Sequence, residues 1–149
     1  MRTVCILTAG IGSRLGNYSN YINKSLLPVK KKSAISRIVE SFDAKTEFII
    51  AIGHLGNQVK NYLKIAHPNN KFKFVRIKKY KGKGTGPGLS LNKCKKYLQK
   101  PFYFVSCDTI WTNKLNFSEN KNWMGISKTS MKNSEEYCNL KIRKNKILK

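Results

Sequence analysis

Apolar positions along the chain fall into two rhythms that alternate. Short continuous runs come first: Val4-Cys5-Ile6-Leu7 within residues 2–7, and then residues 47–52, which read EFIIAI. Runs of that length, rich in β-branched residues and bounded by turn residues, predict strands buried on both faces. Between and after them the spacing changes to a helical period. Ile35, Ile38, Val39 and Phe42 predict a helix over 34–42 with Ser33 as its N-cap. Val59, Tyr62, Leu63 and Ala66 predict a second over 57–66, after the break Gly53-His54-Leu55-Gly56. Phe72, Phe74, Val75 and Ile77 predict a third strand, residues 89–98 a third helix, and the aromatic and β-branched run from Pro101 to Asp108 a fourth strand. Strands alternating with helices predict an α/β fold of three layers, α/β/α, around a mostly parallel, Rossmann-like sheet. Ligands of such sheets bind beyond the carboxyl ends of the strands. The loops after Leu7, Ile77 and Ser106 are therefore expected to gather there.

Two of those loops carry chemistry. The first runs Thr8-Ala9-Gly10-Ile11-Gly12-Ser13-Arg14, with Lys24 ten residues further on. Glycines at 10 and 12 let backbone N–H groups approach an anion, and the two cations supply charge. The Walker pattern is absent, and Gly16 comes one residue too late for a dinucleotide loop. Residues 17–21 have loop composition, which leaves Arg14 in a loop. The other loop ends the fourth strand on Asp108, the one acid of seven expected at the end of a central strand. Magnesium is commonly held by one or two carboxylates with phosphates and water. The alternative for Asp108 is a residue that caps the following turn. Between them, Lys81 to Gly88 holds four glycines ahead of a helix N-terminus, which suits either an anionic ligand or a surface turn.

The pair Thr8-Ala9-Gly10-Ile11-Gly12-Ser13-Arg14-Leu15 and Lys24-Ser25-Leu26-Leu27-Pro28-Val29 resembles the signature of the nucleotidyltransferase family, which includes the sugar-1-phosphate and phosphocholine nucleotidyltransferases. Thr8 stands where that family usually has Ala, and Asn23 where it usually has Pro. The resemblance implies that Thr8, Ala9, Gly10, Gly12 and Ser13 bind nucleotide, with Arg14 on the β- and γ-phosphates and Lys24 on the α-phosphate or acceptor. It also implies that Asp108 is a Mg2+ ligand. Gly84-Thr85-Gly86 and Gly88-Leu89-Ser90 both match the segment that reads the base. The implied partners are an NTP and a phosphorylated acceptor, as in the making of cell-surface polysaccharide precursors.

Composition adjusts this picture. With 149 residues, 40% hydrophobic, the chain suits one domain with a sizeable core. Its end reads like the middle of a domain, and the resemblance implies that an acceptor-binding part and a further acidic ligand follow. No apolar run reaches membrane-spanning length and no cleavage site follows Met1-Arg2-Thr3, so a cytoplasmic location is expected. The formal charge of +23 suits a nucleic-acid binder, although the lysines are spread along the chain as solvated residues would be. A basic nucleic-acid module and a nucleotide-binding fragment without turnover are the alternatives to an enzyme. Cys5, Cys94, Cys107 and Cys138 lack metal or disulfide spacing and are expected as buried thiols. Residues 113–122 read as polar loop, and 123–127 and 139–143 as short strands. His54 and His67 read as structural or solvated rather than catalytic, and Tyr18 and Tyr21 as packing residues, with base stacking left open by their loop location.

Overall fold

The computed structural model describes residues 1–111, 122–127, 140–144 and 146–148. The chain divides into two compact units, Met1–Asn116 and Phe117–Lys149.

The first unit is built on strands β1 (Thr3–Leu7), β4 (Glu47–Ile52), β5 (Lys71–Arg76) and β6 (Tyr103–Ser106), in the spatial order β5-β4-β1-β6 and parallel throughout. A small antiparallel hairpin, β2 (Pro28–Val29) with β3 (Lys32–Ser33), lies between β1 and the first helix. The helices are α1 (Ala34–Glu40), α2 (Gly56–Ala66) and α3 (Pro87–Cys94). The α/β expectation holds, and the strand ends agree with the sequence reading to within two residues.

The sheet sorts its side chains by the two-residue alternation of strands. Cys5, Leu7, Ile49 and Ala51 join Ala9, Ile77 and Cys94 in one buried cluster, over which Leu91 of α3 packs. Val4, Ile6, Phe48 and Ile50, wholly buried, occupy the alternate positions. On that side Phe48 meets Phe42, just beyond α1, with ring centroids 6.1 Å apart. Tyr62 of α2 reaches the Ser33 and Ser36 hydroxyls at 3.0 and 2.8 Å. Helices thus cover both faces, which is why the central strands carry no polar alternation. At the β5 edge alternation returns: Phe72 and Phe74 turn inward, while Lys71 and Lys73 are exposed, as suits an edge strand guarded against further pairing.

Several boundaries shift for local reasons. Helix α1 stops at Glu40 rather than residue 42, because Ser41 and Phe42 donate to Ile38 and Val39 in i→i−3 bonds and the Ser41 hydroxyl takes the Arg37 carbonyl at 2.6 Å. Its N-cap is as expected, with Ser33 Oγ accepting from the Ser36 amide at 3.2 Å. Ala66 lies outside the buried stripe of α2, which is formed by Gly56, Val59 and Leu63. Helix α3 begins two residues early since Pro87 suits a first helical position, and ends at Cys94 in a 3-10 turn, Lys95–Tyr97. Residues 13–20 are 3-10 turns rather than loop, so Arg14 sits on a short helical segment.

In the second unit, β7 (Ile142–Arg143) pairs antiparallel with β8 (Lys146–Ile147). The expected strand over 123–127 is not formed: Met124 and Ile126 are exposed, and Gly125 between them weakens an extended run. Residues 113–121, with the loop and Glu119 expected there, lie outside the described residues, as do Glu135, Glu136, Cys138 and Asn139.

Candidate nucleotide site

The order β5-β4-β1-β6 contains one reversal. The chain moves outward from β1 to β4 to β5, then returns across the sheet to place β6 on the other side of β1. The switch point therefore lies between β1 and β6, where Leu7 and Ser106 are register partners. The glycine turn leaves β1 one residue after Leu7, and Asp108 follows Ser106 by two. Topology alone brings these two loops to one crevice.

An ion pair joins them. Lys24 Nζ donates to Asp108 Oδ2 at 3.0 Å, and the Ser106 hydroxyl donates to Asp108 Oδ1 at 2.7 Å. Gly12 lies beneath the lysine. Its φ is +74°, a conformation that favours glycine, and a Cβ there would fit tightly, 3.2 Å from Leu15 Cδ1 and 3.3 Å from Lys24 Cβ. Gly10 differs: a Cβ there meets nothing within 4 Å, which leaves open room in front of the turn. Ser13 and Arg14 are exposed beside it.

Charge binds the group together. Partial burial disfavours the Lys24 ammonium, as does nearby Arg14, but the Cys107 sulfur and the Asp108 carboxylate outweigh them and hold its pKa above the ordinary lysine value. At neutral pH the carboxylate carries that effect, because burial pushes the Cys107 thiol up to about 11 and keeps it protonated. Burial also opposes the Asp108 carboxylate, yet the hydrogen bonds from Ser106 and Lys24 hold its carboxyl below the usual range. The site offers an anion two cations and an open backbone turn.

Thr8 and Ala9 support the turn from below. Both are buried, and the Thr8 hydroxyl donates to the Ala51 carbonyl at 2.8 Å, facing the sheet. The loop after β4 closes tightly over them: a Cβ on Gly53 would stand 2.7 Å from the Ala9 carbonyl oxygen. His54, read as structural or solvated from sequence, is structural. Its amide donates to the Ala9 carbonyl at 3.0 Å and its Nε2 to the Ser19 carbonyl at 2.6 Å, which fixes the proton on that nitrogen.

Two residues escaped the sequence reading: Gly53, whose only signal was a position directly after a strand, and Asn23. The Asn23 side chain is wholly buried and reaches the Thr8 and His54 carbonyls at 3.0 and 2.7 Å. Its one signal was the departure from the usual proline.

The second glycine loop stands apart. It follows β5, two strands from β1, and α3 carries it back over β1 and β4. Tyr80 at its start packs on the Ala9 cluster and faces His54, ring centroids 6.0 Å apart. Gly84 has φ +78°, and the Thr85 hydroxyl donates within the loop to the Gly82 carbonyl at 2.7 Å. Gly86 and Gly88 are exposed. Among the described residues no hydrogen bond or ion pair joins this loop to Lys24 or Asp108.

No family model matches the sequence, and no curated protein matches it. Solved structures do. The chain is similar to the CTP:phosphocholine cytidylyltransferase LicC of Streptococcus pneumoniae, with 25% identity and a TM-score of 0.62 over 82% of this chain and 51% of that one.

This is a nucleotidyltransferase fold. HddC from Yersinia pseudotuberculosis, complexed with GMP-PN, is similar at 24% identity and a TM-score of 0.59, covering 74% of this chain and 49% of that one. A UDP-glucose pyrophosphorylase complexed with UDP-glucose is similar at 22% identity and a TM-score of 0.61, covering 72% and 46%. This chain thus spans about half the length of these proteins.

Proposed function

We propose that this chain binds a nucleoside triphosphate at the β1–β6 switch point. Within a whole enzyme it transfers the nucleotidyl group to a phosphorylated acceptor, a sugar 1-phosphate or phosphocholine. An acceptor phosphate oxygen attacks the α-phosphorus as the α–β bridging bond breaks, and pyrophosphate leaves with the bonding pair. The chain's work is positioning and charge stabilisation. Gly10 and Gly12 seat the phosphates on backbone amides, Thr8, Ala9 and Ser13 shape the turn, Arg14 neutralises the β- and γ-phosphates, and Lys24 meets the α-phosphate or acceptor. Gly84, Thr85, Gly86 and Gly88 approach the base. The observation that carries this reading is the 3.0 Å pair between Lys24 and Asp108, which sets a cation and a carboxylate from opposite ends of the unit beside the glycine turn.

A magnesium ion suits the donor set. Among the described residues no three His, Cys, Asp or Glu side chains cluster, so Asp108, with a side chain 58% exposed, would be the protein ligand, and phosphates and water would complete the shell. Bound there, the ion would neutralise charge on the leaving pyrophosphate.

The proteins of similar fold support the substrate classes through their names: CTP and phosphocholine for one, UDP-glucose for another. A cytoplasmic location, where triphosphates are abundant, belongs to the same reading. Among the described residues no helix is long and apolar enough to cross a membrane. Calorimetry with CTP, UTP, GTP and ATP in the presence of Mg2+ tests the proposal. Saturation at one triphosphate per chain is expected; no binding of any of the four overturns it. The charge of +23 keeps nucleic acid as a second reading, and there affinity falls steeply with salt and no single triphosphate saturates the chain.

A further inference from the structure

Asn23 has every hydrogen-bonding group in use while its side chain is wholly buried. Its carboxamide nitrogen donates to the Thr8 carbonyl at 3.0 Å and to the His54 carbonyl at 2.7 Å. Its carboxamide oxygen accepts from the Ser25 amide at 3.0 Å and the Ser25 hydroxyl at 2.8 Å. Its own amide donates to Gln58 Oε1 at 3.1 Å, and its carbonyl accepts from the Leu26 amide at 2.9 Å. One side chain therefore fastens three segments: the end of β1, the loop after β4, and the 3-10 turn Lys24–Leu26 that carries the cation. A buried polar network satisfied this fully fixes a unique geometry, because any displacement strands a donor or acceptor away from water.

We propose that Asn23 is the positioning residue for Lys24, its carboxamide holding the lysine turn against the β1 and β4 loops so that the ammonium stands at the phosphate site.

The backbone sharpens the point. Asn23 has φ −66° and ψ 135°, a φ that proline adopts without strain. The proline common at this place in the resembling family would set the same φ, but it offers no donor to the Thr8 and His54 carbonyls and none to Gln58. In this chain the lysine turn is held by the carboxamide's hydrogen bonds, which a fixed φ alone does not replace. Asn23→Pro separates the two, since it keeps the φ and removes the fastening.

The inference rests on the nucleotide reading for its purpose, not for its test. In the full chain, amine-directed labelling of Lys24, read by mass spectrometry against the exposed lysines, reports whether the ammonium is still held. Labelling at Lys24 is expected to rise at least fivefold in Asn23→Ala and Asn23→Pro, with no change at Lys71 or Lys73. Ser25→Ala removes one bond to the carboxamide oxygen and keeps the rest, so it serves if the Asn23 variants do not fold; a rise of about twofold is expected there. Unchanged Lys24 labelling in the folded variants overturns the inference, even where the melting temperature falls. Triphosphate affinity gives the second arm. Asn23→Ala is expected to weaken binding about tenfold with Lys24 present and not at all in a Lys24→Ala background, since residues acting as one unit are not additive. Equal losses in both backgrounds overturn the inference and leave the nucleotide reading intact. If the parent chain binds no triphosphate, that reading fails while the labelling result still decides the role of Asn23.

Discussion

Lys24 Nζ and Asp108 Oδ2 lie 3.0 Å apart although 84 positions separate them in the chain. The contact exists because β1 and β6 are neighbours, and it converts two loops with opposite charge into one site. Both pKa displacements act to keep it. The contribution of Asp108, held low, is present above the ordinary carboxylate value and lost only as pH falls through its lower folded value. The contribution of Lys24, held high, is present below the ordinary lysine value and lost as pH rises through its higher one. The pair is therefore charged on both sides across the whole neutral range.

The first prediction concerns the charges themselves. Arg14→Ala and Asp108→Ala are expected to lower single-turnover nucleotidyl transfer by about 10²-fold each, the usual scale for removing one group that stabilises developing charge. Rapid-quench measurement of pyrophosphate release on the whole enzyme checks this. A rate equal to the parent's for both variants would remove them from the mechanism.

Three glycines should behave in three ways. Gly53→Ala forces a Cβ to within 2.7 Å of the Ala9 carbonyl oxygen, a backbone atom that cannot swing aside. A loss of about 1–3 kcal/mol in urea unfolding is expected. Gly12→Ala, strained at φ +74°, should cost about 1–2 kcal/mol. Gly10→Ala meets no atom within 4 Å and should leave stability unchanged while weakening triphosphate binding. Denaturation and calorimetry on the same three proteins separate support of the fold from access to the ligand.

Most of this architecture was legible in the letters. Continuous apolar runs mark β1 and β4, and helical spacing marks α1 and α2, because burial on two faces and on one stripe leave different patterns. The meeting of Gly12, Lys24 and Asp108 was legible, since a parallel sheet gathers the segments that follow neighbouring strands, whereas Arg14 was expected in a loop and stands on a 3-10 turn. Gly53 and Asn23 were not legible. Their importance comes from contacts with Ala9, Thr8 and His54, which are close only once the strands stand side by side. The ends of α1 and α3 were misjudged because apolar spacing continues past the last α-helical hydrogen bond, through Phe42 and Leu98.

Acid should loosen the junction of α1 and α2. His67 Nε2 and the Ser36 hydroxyl are 2.8 Å apart, and the Tyr62 hydroxyl lies 2.8 Å from the same oxygen. Burial holds the His67 pKa below its ordinary value, a little offset by Glu40 and reinforced by Lys32. A group held low on folding stabilises above its unfolded pKa, near 6.5, and that contribution is lost as pH falls below it. The melting temperature is expected to drop between pH 7 and pH 5, with a shallower drop in His67→Gln. Equal slopes in the two proteins would refute the assignment.

Thiol reagents test the core. Cys5, Cys94 and Cys107 are wholly buried. A hydrogen bond shared with Cys94, together with burial, raises the Cys5 thiol far out of the neutral range, and burial raises Cys107 to about 11. All three should resist alkylation in the folded protein and react together in denaturant. Native-state modification of any one at the rate of a free thiol would contradict the packing described.

The placement of β1 between β4 and β6 sets a timetable for biosynthesis. The glycine turn and Lys24 are made before the carboxylate that answers the lysine, which follows 84 positions later in the chain. Until that strand slots in beside its much older neighbour, the nascent sheet has an open apolar flank and a cationic hollow without its counter-charge. Closure of that flank and neutralisation of Lys24 by Asp108 thus come together, when β6 takes its place beside β1.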